Sequence, residues 1–147
     1  MIFFNEIAEN GVFLTALCAW LAAQILKIFF EFLRTKRVEM RLIFSSGGMP
    51  SSHTSLAVGA SVAIGLTEGF HTPLFALAAI VSLIVMYDAS GVRRAAGNQA
   101  RAINDLLEHL EKSGLKLDKK LKEMLGHTPI EVAAGAILGL SAALILL

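Results

Sequence analysis

Two histidines have neighbours that favour catalysis. His53 lies at the end of the turn-rich stretch GGMPSSHT (47–54), and His127 is followed four residues later by Glu131. Imidazole titrates near neutral pH, so a pair of histidines can divide the roles of nucleophile and general acid. A carboxylate beside His127 would fix the tautomer of the ring and raise its basicity. His71 and His109 have no such neighbours, and we expect them to be ordinary surface residues.

A second group of residues is suited to binding an anion. Glycines let the backbone approach a ligand closely, successive N–H groups in such a turn form an anion-binding nest, and arginine binds phosphate oxygens in a fork. We predict that Gly48 and Asp88 have supporting roles. The candidate phosphate-binding residues are Lys27, Arg34, Ser51, Ser52, Arg93 and Arg94.

Each candidate also has a purely structural interpretation. Lys27 can extend to the membrane surface and pair with Glu31 four residues later. Asp88 and the arginines after it can form an ion pair in the positive flank of a membrane span. Thr128-Pro129-Ile130-Glu131 fits a capping box with proline at the first helical position, which alone would explain Glu131.

The composition indicates which elements carry these residues. The 147 residues are 55% hydrophobic and 17% charged, with a mean hydropathy of +0.65. A soluble domain has about 45–50% apolar and about 25% charged residues, and a spanning helix needs about 20 mostly apolar residues. We therefore predict one all-α domain, 1–147, an integral membrane bundle with about four transmembrane helices. The predicted spans cover about 11–33, 54–70, 73–90 and 130–147.

Basic residues predict the topology of the bundle. All thirteen lysines and arginines lie within 27–41 or 93–122. By the positive-inside rule, the loops at about 34–53 and 91–129 face the cytoplasm, in the inner membrane of a bacterium. The residues singled out above would then converge at the cytoplasmic ends of the spans. Several cations and two histidines around one cavity are typical of a phosphate site.

The second loop and the small residues carry two further predictions. NQARAINDLLEHLEKSG has leucine and isoleucine at helical spacing and predicts an amphipathic helix that ends near Gly114; LKLDKKLKEML predicts a second, shorter one. Small residues at a spacing of four in 57–65, and at Gly135 and Gly139, indicate close helix packing. A homodimer through Gly135 and Gly139 is the alternative.

These motifs resemble those of the type 2 phosphatidic acid phosphatases, which are related to vanadium-dependent haloperoxidases, and look most like a divergent bacterial and plastid branch. Lys27 and Arg34 match the family's first motif, with Thr35 in place of proline. The second motif, Pro-Ser-Gly-His, corresponds to Pro50 through His53, with Ser52 in place of glycine.

The third motif is partly retained. His127 matches its histidine and Glu131 replaces its aspartate, whereas Lys120 and Leu121 stand where the family has Ser-Arg. We infer that Arg93 or Arg94 replaces the missing arginine, with Lys120 or Lys122 next in line.

The resemblance implies a phosphatase that acts on a lipid phosphate monoester or diphosphate. His127 would attack phosphorus, Glu131 would orient it, and His53 would protonate the leaving group, with no metal or cofactor. The cytoplasmic position favours an inner-leaflet lipid such as phosphatidylglycerol phosphate. We expect a membrane lipid, and no nucleic acid, as partner. Two alternatives remain: a non-catalytic module that binds anionic lipid, and a metal site made of His53, His127, Glu131 and Asp88.

Overall fold

The computed structural model describes residues 2–36, 48–112, 121 and 126–147, and the elements in these ranges are all helices. The predicted all-α class is therefore confirmed. The helices are α1 (Ile2–Glu9), α2 (Gly11–Thr35), α3 (Ser52–Glu68), α4 (Pro73–Ser90), α5 (Val92–Lys112) and α6 (Pro129–Leu146).

Side-chain caps explain where the long helices begin. Asn10 accepts a hydrogen bond from the Phe13 N–H at the start of α2, and Thr72 and Thr128 do the same for α4 and α6. In α4 and α6 a proline follows the cap, and its fixed φ suits the first helical turn. The bounds of α2, α3, α4 and α6 lie within two residues of the four segments predicted as spans.

Two helices differ from the predictions. The sequence pattern gave no indication of α1, which precedes the first span. The amphipathic helix begins at Val92 rather than near residue 98, because only Gly91 interrupts the helical backbone after α4. Arg93 and Arg94 therefore lie in the first turn of α5 instead of in a loop. The predicted helix end at Gly114 and the second amphipathic helix lie outside the described residues.

The helices α2, α3, α4 and α6 form a bundle with α3 at its centre. α3 contacts the other three, and α2 also packs on α6, whereas no contact joins α2 to α4 in the described part of the chain. The start of α3 adjoins the start of α6 and the end of α4. The end of α2 that carries Lys27 also lies beside the segment leading into α3. The predicted site residues are thus carried largely at one end of the bundle.

Small residues allow α3 and α6 to pack closely. The Ser55 hydroxyl donates to the Gly135 carbonyl at 3.0 Å, and a Cβ at Gly139 would lie 2.8 Å from the Gly59 nitrogen. This confirms that the two α6 glycines serve helix packing within the chain. The face that Gly135 and Gly139 present is occupied by α3 of the same chain, and the homodimer stays a prediction.

Three helical segments of the described chain are long and apolar enough to cross a membrane: Gly11–Thr35, Pro73–Lys112 and Pro129–Leu146. The second segment runs through α4 into α5. The other predicted span corresponds to α3, whose 17 residues fall short of the about 20 that a span needs. Its buried face is made of small residues, many of them serine, threonine and glycine, because this helix packs against protein on three sides.

Candidate functional site

His127 is held in a fixed position between three helices. Its backbone N–H donates to the Ala89 carbonyl of α4 at 2.9 Å, and its ring is buried, since the residue is only 3% exposed. The Nδ1 atom lies 3.3 Å from a carboxylate oxygen of Glu131. A neutral ring that donates from Nδ1 carries its lone pair on Nε2. That Nε2 atom is buried and has no hydrogen-bond partner in the described structure.

Glu131 combines the two roles that the sequence left as alternatives. It completes the capping box of α6, because its Oε2 accepts from the Thr128 N–H at 2.8 Å while its own N–H donates to the Thr128 hydroxyl. The same Oε2 atom faces Nδ1 of His127. The backbone that starts α6 therefore fixes the carboxylate, and the carboxylate fixes the imidazole.

Lys27 is buried rather than extended to the surface. The residue is 2% exposed, and its Nζ has no hydrogen-bond partner among the described residues. Glu31, the expected partner of Lys27, instead pairs with Arg34 at 3.4 Å. The Lys27 ammonium interacts electrostatically with Glu131 and His127, which places its charge beside the candidate nucleophile.

Gly48 makes room for the Lys27 side chain. Its φ of +93° is one that favours glycine, and a Cβ at this position would lie 3.2 Å from Cγ of Lys27. The supporting role that the sequence suggested for Gly48 thus has a physical basis: the bare backbone lets the lysine stem pass.

His53, Asp88 and Arg93 line one cavity together with His127. Arg93 donates from Nε to an Asp88 carboxylate oxygen at 2.5 Å, and its side chain is about half exposed. This ion pair leaves the two terminal nitrogens of the guanidinium for a ligand. His53 is exposed at the start of α3 and interacts electrostatically with Arg93, Lys27 and Asp88.

Ser51 and Ser52 are both buried, and Ser51 makes contacts that the sequence did not indicate. Ser51 is fully buried, its hydroxyl accepts from the Thr54 hydroxyl at 3.0 Å, and its N–H donates to the Glu131 carbonyl at 3.0 Å. This N–H joins α3 to α6, and a role of Ser51 in phosphate binding stays a prediction. Ser52 is also buried, and its N–H belongs to the free first turn of α3.

Two predicted cations lie away from the cavity. The Arg34 side chain is 76% exposed and pairs with Glu31, and Arg94 is exposed and does not line the cavity, unlike its neighbour Arg93. Of the two arginines considered as replacements for the missing motif residue, only Arg93 lines the cavity. Lys120 and Lys122 lie outside the described residues.

The site favours a neutral His127. Burial lowers the pKa of this ring below its ordinary value of 6.5, because a charged imidazole loses its hydration there. Glu131 opposes the shift through its charge and hydrogen bond, while the positive charges of Lys27 and His53 add to it. At neutral pH the ring is thus a base with an available lone pair.

The metal alternative finds no ligand set in the described part of the chain. No group of three or more histidine, cysteine, aspartate or glutamate side chains there is arranged to hold a metal ion. His127 and Glu131 contact each other, and Asp88 pairs with Arg93, so the four proposed ligands do not converge on one point.

An apolar groove leads away from the charged end. The cavity has a volume of about 460 Å³ and extends from the charged residues between α3 and α4 as far as Leu74. Its walls include Ala57, Leu77 and Val81. No pattern in the sequence indicated this groove, because its residues are ordinary components of apolar helices. Only the placement of α4 beside α3 makes them a continuous surface.

Comparison with known proteins gave two matches. The model of the divergent PAP2 family matches residues 8–142. An uncharacterized membrane protein of Bacillus subtilis (strain 168), YuiD, is 39% identical to this chain over an alignment of 152 residues. The alignment covers 96% of each of the two chains. No solved structure matches.

Proposed function

Because the chain belongs to the divergent PAP2 family, we propose that this membrane protein is a lipid phosphatase that works through a phosphohistidine at His127. Its substrate is a lipid phosphate monoester or diphosphate. We propose this activity together with the residues that carry it and the side of the membrane on which they act.

One observation carries the proposal: two buried nitrogen atoms at the same end of the bundle have no hydrogen-bond partner among the residues that the structure describes. They are Nε2 of His127 and Nζ of Lys27. Burying an unpaired polar group costs free energy, so such groups in a native structure usually serve a function. A phosphoryl group would satisfy both atoms, as the electrophile for the imidazole and the anion for the ammonium. Arg93 on the opposite wall would bind a further oxygen.

In the first step, the lone pair of Nε2 attacks phosphorus and the bond between phosphorus and the lipid oxygen breaks. Protonated His53 gives its proton to the leaving oxygen. Glu131 accepts the Nδ1 hydrogen bond and stabilises the positive charge that develops on the His127 ring. Lys27 and Arg93 stabilise the equatorial oxygens of the transition state, whose charge is otherwise poorly solvated in a partly buried site.

In the second step, water attacks the phosphohistidine. Neutral His53 takes a proton from the water, the bond between phosphorus and Nε2 breaks, and inorganic phosphate leaves. Both residues then return to their starting protonation states. The exposed position of His53 suits this part, because the ring must meet both the leaving oxygen and water.

The distribution of basic residues supports an inner-leaflet substrate in a bacterial inner membrane. All lysines and arginines lie in two segments of the sequence, 27–41 and 93–122, which the positive-inside rule assigns to the cytoplasm. A phospholipid-synthesis intermediate such as phosphatidylglycerol phosphate fits that position.

The test is phosphate release by the purified protein in detergent. Phosphatidylglycerol phosphate, phosphatidic acid and an isoprenoid diphosphate would be compared with and without EDTA. We expect release from at least one lipid, unaffected by EDTA and abolished in His127→Ala. The matched control is His109→Ala, an exposed histidine on α5 that does not line the cavity. Lipid binding without release would instead support the non-catalytic module, and loss of release with EDTA would support the metal alternative.

A further inference from the structure

A second cavity adjoins the first along α3. It has a volume of about 670 Å³, is lined mainly by α2 and α3, and reaches Asn10, Thr67 and Glu68 at the other end of the bundle. Both cavities have Leu56, Ala60 and Leu74 in their walls. Leu56 lies close to His53 at the start of α3, whereas Leu74 lies at the start of α4 at the far end. The two cavities therefore run side by side along α3, with Ala60 about midway between their ends.

The combined groove runs along nearly the whole of α3. Because α2 and α4 do not contact each other in the described structure, α3 forms the floor between them and the groove is open sideways. From His53 to Thr67 the helix rises about 21 Å, at about 1.5 Å per residue. One leaflet of hydrocarbon is about 15 Å thick, half of the about 30 Å core. The groove is thus longer than a single leaflet.

The two ends of the groove differ in chemistry. At one end His53, Arg93 and His127 surround the opening, and at the other Asn10, Thr67 and Glu68 provide polar groups. Between them the walls are apolar, and Leu77 and Val81 remain substantially exposed. Surface of this kind on membrane-spanning helices contacts hydrocarbon, and the positive end complements a phosphate attached to that hydrocarbon.

We propose that the groove between α2 and α4 binds one hydrocarbon chain of the substrate along α3, and that Ala60, about 10 Å along the helix from His53, is the position that a long chain must pass. This inference rests on the proposed function for its phosphate end. A short chain ends before Ala60, whereas a longer chain passes Ala60 and extends toward Thr67. Any second chain of the lipid stays in the bilayer.

The expected effect is one of positioning. A chain that moves from the bilayer into the groove gains little hydrophobic free energy, because it leaves one apolar environment for another. Van der Waals contact with the walls instead aligns the chain, and the aligned chain holds the phosphorus against Nε2 of His127. Chain length should therefore change kcat/KM, and a side chain that fills the groove should remove that dependence.

The first test uses single-chain alkyl phosphates from octyl to eicosyl with Ala60→Phe. In the unchanged protein we expect kcat/KM to rise with chain length through the longest substrate. In Ala60→Phe it should fall by about tenfold or more for eicosyl phosphate, the scale typical of a misfit in a hydrophobic pocket, with little change for octyl phosphate. The control is Ala76→Phe, an exposed α4 position that lines neither cavity. An equal loss for all chain lengths would overturn the inference.

The second test does not require turnover. A hexadecyl phosphonate with a photoreactive group at the end of its chain would be cross-linked to His127→Ala. We expect the label on α3 or α4 near Ile64, Thr67 or Leu74, and a large loss of this label in the double variant with Ala60→Phe. Label distributed over the outer faces of α2 and α6 would overturn the chain position.

These tests separate the inference from the function on which it rests. Specific label in the groove without phosphate release from any substrate would support the chain site and reject the phosphatase. Phosphate release whose kcat/KM does not depend on chain length, with no label in the groove, would support the phosphatase and reject the chain site. A two-chain lipid phosphate and an isoprenoid phosphate, run in parallel, would show which kind of lipid supplies the chain.

Discussion

The two histidines occupy environments that differ as a nucleophile and a general acid require. His127 is buried, its ring is oriented by Glu131, and its outer nitrogen has no partner in the described structure. His53 is exposed and lies among charges of both signs. The sequence predicted both residues as candidates from their neighbours. It could not show which nitrogen atoms lack partners, because this depends on contacts between separate helices.

The first prediction concerns the protonation of His127. In a plot of kcat/KM against pH, the acidic limb reports the pKa of the essential base of the free enzyme. We expect the midpoint of this limb below pH 6.5, because burial lowers the pKa of the His127 ring. An imidazolium cannot attack phosphorus, so activity falls as the pH falls through that pKa. Glu131→Gln keeps the capping box but removes the charge that raises the pKa of His127.

The limb in Glu131→Gln should therefore move to lower pH, together with a lower kcat. Both proteins must be measured with one substrate, so that titration of the substrate phosphate cancels in the comparison. A limb that stays in place, or moves to higher pH, would contradict the assignment of His127 as the base.

The second prediction separates two neighbouring arginines. Arg93 lines the cavity and pairs with Asp88, whereas Arg94 is exposed and does not line it. We expect Arg93→Ala to cost about 2–4 kcal/mol in transition-state stabilisation, comparable to the loss of one oxyanion donor. Arg94→Ala is the matched control and should retain nearly normal kcat/KM. The reverse ranking, or no loss in either variant, would mean that another cation replaces the motif arginine.

At the scale of elements, α3 holds the site together. Its first turn joins α6 through the Ser51 N–H, its middle packs on Gly139, and its open face forms the floor of the groove. The helix α3 was predictable from the length of its apolar run and from the serine at its start. Its central position was not, because small residues indicate close packing without identifying the partner helix.

The third prediction tests that packing. A Cβ at Gly139 would meet the backbone of α3 at Ser55 and Gly59, so Gly139→Leu forces α6 away from α3. We expect a loss of about 1–3 kcal/mol of stability, typical of overpacking, measured as a lower Tm in detergent. The control is Ala133→Leu on the exposed face of α6. A variant that keeps its Tm but dissociates a dimer would support the homodimer alternative.

At the scale of the whole molecule, the bundle brings distant parts of the sequence to one end. Lys27, His53, Asp88 and His127 belong to different segments of the chain, and alternating helix directions bring them together. The charge distribution predicted this convergence, since every basic residue lies in 27–41 or 93–122 and the positive-inside rule assigns both segments to one side of the membrane. The groove could not be predicted, because it exists only where α2 and α4 fail to meet.

The fourth prediction concerns the side of the membrane. In a Cys18→Ser background, a cysteine at Lys112 at the end of α5 should react with a membrane-impermeant thiol reagent only after cells are opened. A cysteine at His71, in the connection between α3 and α4, should react in intact cells. Both native residues are exposed. The opposite pattern would reverse the topology and remove the argument for an inner-leaflet substrate.

The account depends most directly on one covalent bond, between phosphorus and Nε2 of His127. The decisive measurement is rapid quenching of the purified protein during turnover of a phosphate-labelled lipid, followed by mapping of the labelled peptide. We predict an acid-labile, base-stable phosphate on His127 that is absent in His127→Ala and still forms in His53→Ala when the leaving group is good. Near-normal turnover in His127→Ala, or label on another residue, would contradict the mechanism.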